Sequence, residues 1–159
     1  MPDLSATSWN KPAASGDPVR KSLRFDRAGS SSLSITPSSA PTSNTKWTLS
    51  VWVKPSDLED VTSNYGFILT AYNQSGGYET SLRLGTADDF AIAFTHNESG
   101  STTIEVETVA KYRDPSAWIH CVVQFDSSES NASDRVKFFV NGVEEEAGGA
   151  LDWPSSSEV

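Results

Sequence analysis

Residues 114–142 have the sequence DPSAWIHCVVQFDSSESNASDRVKFFVNG, in which a polar loop separates two apolar runs. Apolar and polar positions alternate within the runs, as expected for β-strands with one buried face. The second run ends at Asn141-Gly142, a pair that tolerates the positive φ angles of a two-residue hairpin turn. The stretch therefore predicts two strands around a rim loop, followed directly by a tight turn.

The same period of two recurs from residue 22 onward. Further strands are predicted within SLRFD, SSLSI, KWTLSVWVKP, YGFILTAYN, YETSLRLG, DDFAIAFTH and TTIEVETVA. In the third of these, Trp47 and Leu49 face inward, whereas Trp52 shares the outer face with polar residues. YGFILTAYN is continuously apolar, which predicts a central strand covered on both sides. Many short strands without a convincing helix predict an all-β protein, an antiparallel two-sheet sandwich or jelly roll.

The chain has 159 residues, of which 36% are hydrophobic, and this suits one domain with a real core. Residues 1–21 contain three prolines and little periodicity, which predicts an extended N-terminal arm before a domain at 22–159. Trp9 would be the main apolar anchor of that arm on a neighbouring subunit. A floppy terminus is the alternative interpretation of the same residues.

The net charge of −9 argues against nucleic-acid binding, because an acidic surface repels phosphate backbones. The first residues lack the apolar core of a signal peptide, and no run is long enough to span a membrane. We therefore expect neither export through this N-terminus nor membrane insertion. The single cysteine, Cys121, lies in an apolar run and is expected to be a small buried hydrophobe.

Three motifs in a fixed order, WTLSVWVKP, AWIHCVVQFD and RVKFFVNGVE, resemble the laminin G-like, concanavalin A-like lectin/glucanase superfamily. The matching positions are Leu49, Ser50, Trp52, Val53, Lys54, Trp118, His120, Val123, Asp126, Val136, Phe139, Val140, Asn141 and Gly142. The resemblance covers residues 22–145 and implies a jelly-roll sandwich of two antiparallel sheets. Within it, Trp118 is predicted to face the core.

A narrower resemblance, to laminin G-like domains in tail-fibre and other structural proteins of bacteriophages, particularly marine ones, involves RDPSAW at 113–118 and ASDRVKFFVNG at 132–142. It implies a non-enzymatic structural or adhesion module of a virion, either part of a tail fibre or a capsid decoration protein, assembled in the host cytoplasm. The alternative function is a lectin-like domain that binds carbohydrate with or without calcium. The two are compatible, because a fibre can bind host-surface glycans.

Family domains usually continue past the VNG hairpin with several more strands, whereas this chain ends soon afterwards at LDWPSSSEV. We therefore expect a sandwich that is incomplete at the C-terminus or completed by another chain. Unpaired strand edges favour association. The expected partners are other virion proteins or copies of the chain itself, in a trimer or higher assembly.

Glucanases of the superfamily carry paired carboxylates on one strand, and Glu105 and Glu107 have a suitable spacing of two. However, IEVETVA lacks the third acid of that motif, and outward glutamates alternating with Ile and Val are typical of a solvated strand face. The sequence therefore predicts a protein that is not an enzyme.

Two kinds of binding residue are predicted. Calcium is the metal that the resemblance implies, and Asp126, Asn131 and Asp134 in the loop DSSESNASD offer the oxygen ligands it requires. A second candidate is TADDF, with Asp88 and Asp89, although acidic loops without metal are common. No other cofactor is expected. Trp52 is the candidate for stacking on a ligand, unless a loop or the second sheet covers it.

Overall fold

We describe the fold from a computed structural model, which describes residues 22–25, 31–43, 45–55, 66–73, 76–85 and 90–152. The chain divides into two compact units, Met1–Ala40 and Pro41–Val159. In the first unit, the described residues have no regular secondary structure, and Leu33 and Ile35 are exposed. The strands predicted in SLRFD and SSLSI are therefore wrong for the described residues, since alternation forms a strand only where a partner supplies the ladder of hydrogen bonds.

The second unit contains nine strands in its described residues. They are β1 (Lys46–Val53), β2 (Gly66–Asn73), β3 (Tyr78–Leu84), β4 (Ile92–Glu98), β5 (Ser101–Thr108), β6 (Ile119–Asp126), β7 (Val136–Val140), β8 (Val143–Glu145) and β9 (Ala147–Asp152). The only helical element described is a single 3-10 turn, Ala132–Asp134. None of the described helical residues forms a segment long and apolar enough to cross a membrane.

The strands form two antiparallel sheets. Sheet A has the order β1-β6-β7-β8, and sheet B has the order β2-β3-β4-β5-β9. Two pairs of neighbouring strands are far apart along the chain. Four strands of sheet B separate β1 from β6, and three strands of sheet A separate β5 from β9, whereas the other neighbours within each sheet follow each other in sequence. This confirms the prediction of an all-β protein with two antiparallel sheets.

One apolar cluster joins the facing surfaces of the two sheets. Sheet A contributes the alternate residues Ile119, Cys121, Val123, Phe125, Val136, Phe138 and Val140, and sheet B contributes Leu82, Ile92, Phe94, Ile104 and Val106. At one end, three aromatic rings contact one another: Trp47 and Phe125 of sheet A stack at 5.3 Å, and Phe94 of sheet B lies 5.6 Å from Trp47 and 5.8 Å from Phe125. Burial of these side chains is the main stabilising term of the sandwich.

Two hairpins have two-residue turns in which both residues adopt positive φ. Asn141 and Gly142 join β7 to β8 with φ of 52° and 83°, and Ser99 and Gly100 join β4 to β5 with φ of 50° and 83°. Such turns match the twist of the flanking strands. The turn predicted at Asn141-Gly142 is confirmed.

Two predictions about individual positions are wrong. β2 is the edge strand of sheet B in the described structure and most of its residues are exposed, although its apolar run predicted a central position. Trp118 was predicted to face the core but is 47% exposed. The first inward position of β6 belongs to Ile119, which is 4% exposed, so Trp118 is one residue out of phase with the core.

The chain continues beyond the Asn141-Gly142 turn with two further strands. β8 pairs with β7 in sheet A, and β9 crosses to sheet B, where it pairs antiparallel with β5. Both sheets therefore gain a strand after the hairpin. That a neighbouring chain completes the sandwich, and that an arm at residues 1–21 precedes a domain at 22–159, stay predictions.

Candidate binding sites on the sandwich

An exposed tryptophan on β1 stacks on a histidine of the neighbouring strand. Trp52 is 57% exposed and lies directly opposite His120 in the ladder between β1 and β6. The centroids of the two rings are 4.8 Å apart and their planes differ by 18°, so the rings are stacked. We call Ser50, Trp52, His120 and Asn141 the Trp52 platform.

Three hydrogen bonds fix His120 in this position. Its Nε2 shares a hydrogen bond of 2.9 Å with Oγ of Ser50. Its backbone N–H donates to Oδ1 of Asn141 over 3.0 Å, and the backbone N–H of Asn141 donates to the carbonyl oxygen of His120 over 2.9 Å. The indole of Trp52 is therefore oriented before any ligand arrives, which lowers the entropic cost of binding. The outward orientation of Trp52 agrees with the alternation, and its role in ligand stacking stays a prediction.

Of the predicted calcium ligands, Asp126 ends β6, and Asn131 and Asp134 lie between β6 and β7. Each of the two carboxylates already has a partner. Oδ2 of Asp126 accepts a hydrogen bond from Nζ of Lys46 over 2.8 Å. Oδ2 of Asp134 accepts one from Nδ2 of Asn131 over 3.1 Å, and its Oδ1 lies 3.3 Å from Nζ of Lys137. The bond from Lys46 lowers the pKa of Asp126, and the bond from Asn131, followed by Lys137, lowers the pKa of Asp134.

Within the described residues, no group of three or more His, Cys, Asp or Glu side chains is arranged to hold a metal ion. Because Asp126 and Asp134 face ammonium groups, their present positions do not favour a cation between them. Calcium at Asp126, Asn131 and Asp134 stays a prediction of the sequence alone, because binding there would require Lys46 and Lys137 to leave these carboxylates. Asp88 and Asp89 lie outside the described residues, as does Trp9 of the predicted arm.

The two glutamates considered for hydrolysis are each paired with a different cation. Oε1 of Glu105 lies 2.8 Å from a guanidinium nitrogen of Arg83, and Oε1 of Glu107 lies 3.9 Å from Nζ of Lys111. A retaining glycosidase instead needs two carboxyl groups facing one substrate. Cys121 is fully buried, and burial raises the pKa of its thiol to about 11, which disfavours the thiolate that a nucleophile requires.

A cleft of about 650 Å³ opens between the two sheets, within the unit Pro41–Val159. We call it the inter-sheet cleft. Its apolar walls include Trp47, Leu49 and Phe125 from sheet A and Leu69, Leu82 and Phe94 from sheet B. Mostly apolar concave sites of this size are typical of small-molecule binding.

One end of the cleft is polar because the inner face of sheet B changes character along its strands. On this face, the apolar pair Leu82 and Phe94 is followed first by Thr80 opposite His96 and then by Tyr78 opposite Glu98. Nδ1 of His96 shares a hydrogen bond of 2.7 Å with Oγ1 of Thr80, and its Nε2 lies 3.7 Å from Oε1 of Glu98.

The phenol ring of Tyr78 and the amide of Asn73 complete this polar end. The rings of Tyr78 and His96 are stacked with centroids 6.2 Å apart, and Asn73 lies opposite Tyr78 in the ladder between β2 and β3. Tyr78 is 44% exposed, so this end of the cleft meets solvent. We call Asn73, Tyr78, Thr80, His96 and Glu98 the polar mouth.

A family model described as the Concanavalin A-like lectin/glucanases superfamily, of the laminin G type, matches residues 27–158. The chain belongs to this superfamily. The match includes the Trp52 platform, the inter-sheet cleft and the loop between β6 and β7. Comparisons with curated proteins and with solved structures found no match.

As a laminin G-like member of the superfamily, the chain has the features of a lectin-like or adhesion module. Domains of this type are generally non-catalytic binding modules. The separate pairing of Glu105 and Glu107 with cations agrees with that general behaviour.

The residues of the polar mouth were not predicted as a site, although the alternation of their strands indicates one. AIAFTHNE places His96 and Glu98 in phase with the inward Phe94, and YETSLRL places Tyr78 and Thr80 in phase with the inward Leu82. Polar residues at inward positions are uncommon and indicate a rim or a ligand site.

Proposed function

We propose that this domain is a non-enzymatic adhesion module that binds carbohydrate on the Trp52 platform. The observation that carries the proposal is the stacking of Trp52 on His120 at 4.8 Å, which leaves an oriented, half-exposed indole on the outer face of sheet A. An aromatic ring with polar neighbours suits a sugar, whose C–H face packs on the ring while its hydroxyls form hydrogen bonds.

The polar groups beside the indole support this assignment. Ser50 and His120 lie on the same outer face as Trp52. Gln124, which is on β6 like His120, is exposed on that face as well. Hydroxyl, imidazole and amide groups serve as both donors and acceptors, as sugar hydroxyls require. The net charge of −9 favours neutral glycans over strongly anionic ones, because like charges repel.

A glycan array probed with the labelled domain tests the proposal. We expect the native protein to bind a restricted set of glycans, and Trp52→Ala to lose that binding. Tyr72→Ala is the matched control, since Tyr72 is an exposed aromatic on a strand of the other sheet and is 63% exposed. Equal binding by the native protein and Trp52→Ala would contradict the proposal, as would the absence of any glycan signal.

We further propose that the module belongs to a bacteriophage particle, as part of a tail fibre or as a capsid decoration protein assembled in the host cytoplasm. The support is the resemblance of residues 113–118 and 132–142 to such proteins. These stretches are neighbours in the fold, because the second includes β7 and the first directly precedes its partner strand β6. Light scattering tests this: a trimer or larger assembly supports a virion component, and a stable monomer contradicts it.

A further inference from the structure

We propose that the inter-sheet cleft is a second binding site, which takes a single-chain amphiphile with a neutral or cationic, hydrogen-bond-donating head. The site is separate from the Trp52 platform, because the cleft lies on the inner faces of the sheets and the platform on the outer face of sheet A. The apolar tail would lie against the side chains of Trp47, Leu69 and Phe94, and the head would lie in the polar mouth.

The volume and the walls set the class of tail. A cleft of about 650 Å³ is well within the range of small-molecule sites, and its deep walls come from aromatic and aliphatic side chains of both sheets. Leu69 lines the cleft and is 45% exposed, so apolar surface is available to an incoming chain. Covering that surface is favourable in proportion to the apolar area removed from water.

The charges of the mouth set the class of head. Glu98 contributes a carboxylate, and the hydroxyl oxygen of Thr80 has a second lone pair beside the hydrogen bond that it shares with His96. No lysine or arginine is among the described residues that line the cleft. An ammonium or hydroxyl head can donate to these acceptors, whereas a carboxylate head would lie beside the carboxylate of Glu98 and be repelled by it. The geometry therefore selects against fatty acids.

Matched probes separate these possibilities. Decylamine, decanol and decanoate share one tail and differ in the head. Calorimetric titration measures the affinity and the stoichiometry of each, with the amine and the carboxylate below their micellar concentrations and the alcohol below its solubility limit. We expect one decylamine or decanol per chain and at least tenfold weaker binding of decanoate. Shortening the amine to octylamine should weaken binding by about fifteenfold, because each buried methylene is worth about a factor of four.

A pair of substitutions locates the site. Ala71 lines the cleft and is exposed, so Ala71→Phe should fill it and abolish amphiphile binding without opening a core cavity. Thr70→Phe introduces the same aromatic ring at the preceding residue. The side chain of residue 70 faces the other side of the strand, so this control should leave binding intact. Glu98→Gln removes the carboxylate of the polar mouth, so it should narrow the difference in affinity between decylamine and decanoate. Trp52→Ala should bind amphiphiles normally, which keeps this test independent of the proposed glycan site.

Several results would overturn the proposal. These are equal binding of decanoate and decylamine, uptake that does not saturate at one per chain, and unchanged binding by Ala71→Phe with its circular dichroism preserved. Light scattering of the same samples provides a further test. A native dimer that Ala71→Phe dissociates would show that a second copy of the chain occupies the cleft, which would contradict the proposal. Failure to bind any of the three probes would likewise exclude the site.

Discussion

His120 and Asn141 are joined by two hydrogen bonds that tie the second and third sequence motifs together. The backbone N–H of His120 donates to the side chain of Asn141 over 3.0 Å, and the backbone N–H of Asn141 donates to the carbonyl oxygen of His120 over 2.9 Å. The same histidine stacks on Trp52 of the first motif at 4.8 Å. The three motifs that identify the fold thus meet at one place, the Trp52 platform.

The first prediction concerns the ring that supports Trp52. His120→Ala removes the stacking partner and the hydrogen bond to Ser50, so we expect stability to fall by about 1 kcal/mol, as for other aromatic pairs. Glycan affinity should fall as well, because the indole is no longer oriented. Urea unfolding and glycan titration measure the two effects. Gln124→Ala, an exposed change on the same strand, is the control for stability and should alter it by less than about 0.5 kcal/mol.

The second prediction compares two neighbouring phenylalanines on β7. Phe138 is fully buried between the sheets, and Phe139 is half-buried on the opposite face. Phe138→Ala should lower the free energy of unfolding by about 3–5 kcal/mol, because it removes a buried ring and leaves a cavity. Phe139→Ala should cost clearly less. Equal losses in denaturant unfolding would contradict the strand register on which the core is based.

The alternation of residues predicted much of this fold. It predicted the inward faces of β1 and β5, because a strand with one buried side has a period of two. On β6 it predicted the burial of Cys121 but placed Trp118 on the wrong face. The positive-φ turn at Asn141-Gly142 was also predictable, since few residue pairs adopt that conformation at low cost.

Other features depend on partners that the sequence does not specify locally. The apolar run of β2 is compatible with a central or an edge strand. In the described structure β2 pairs with β3 on one side only, and this tertiary pairing makes it an edge strand. The cation partners of the loop carboxylates are also set by tertiary structure: Lys46 is 80 positions from Asp126 in the chain. The cleft likewise forms only when the two sheets face each other.

The third prediction concerns calcium. Because Lys46 and Lys137 engage the carboxylates of Asp126 and Asp134, we expect millimolar calcium to leave the melting temperature of the native protein unchanged. Magnesium at the same concentration is the control for ionic strength. A rise with calcium that Asp126→Asn abolishes would contradict this expectation and would establish the site that the sequence suggested.

The fourth prediction concerns the thiol of Cys121. The side chain is fully buried and its pKa is raised to about 11, so little thiolate exists at pH 8 and reagents cannot reach it. An aromatic disulfide reagent should therefore label the folded protein very slowly. In denaturant the same assay should report one thiol per chain, since the sequence contains one cysteine. Rapid labelling of the folded state would show that the core opens at β6.

The fifth prediction concerns acid. The pKa values of Asp114, Asp126 and Asp134 are all lowered in the folded state, chiefly by hydrogen bonds from Ser116, Lys46 and Asn131 respectively. A carboxyl group with a lowered folded pKa stabilises the protein above its unfolded value of 3.8, and this stability is lost as the pH falls through the lower folded value. Stability should therefore decline as the pH falls below about 4.

Asp126→Asn provides the matched test of that decline. The amide cannot titrate, so the variant should be less stable than the native protein at pH 7 and the difference should shrink towards pH 2. Urea unfolding at pH 7, 4 and 2 measures it. Salt should also reduce the difference at pH 7, because the pair between Lys46 and Asp126 is exposed to solvent and is screened. A difference that stays constant from pH 7 to pH 2 would show that Asp126 acts through its turn with Ser128 and not through its charge.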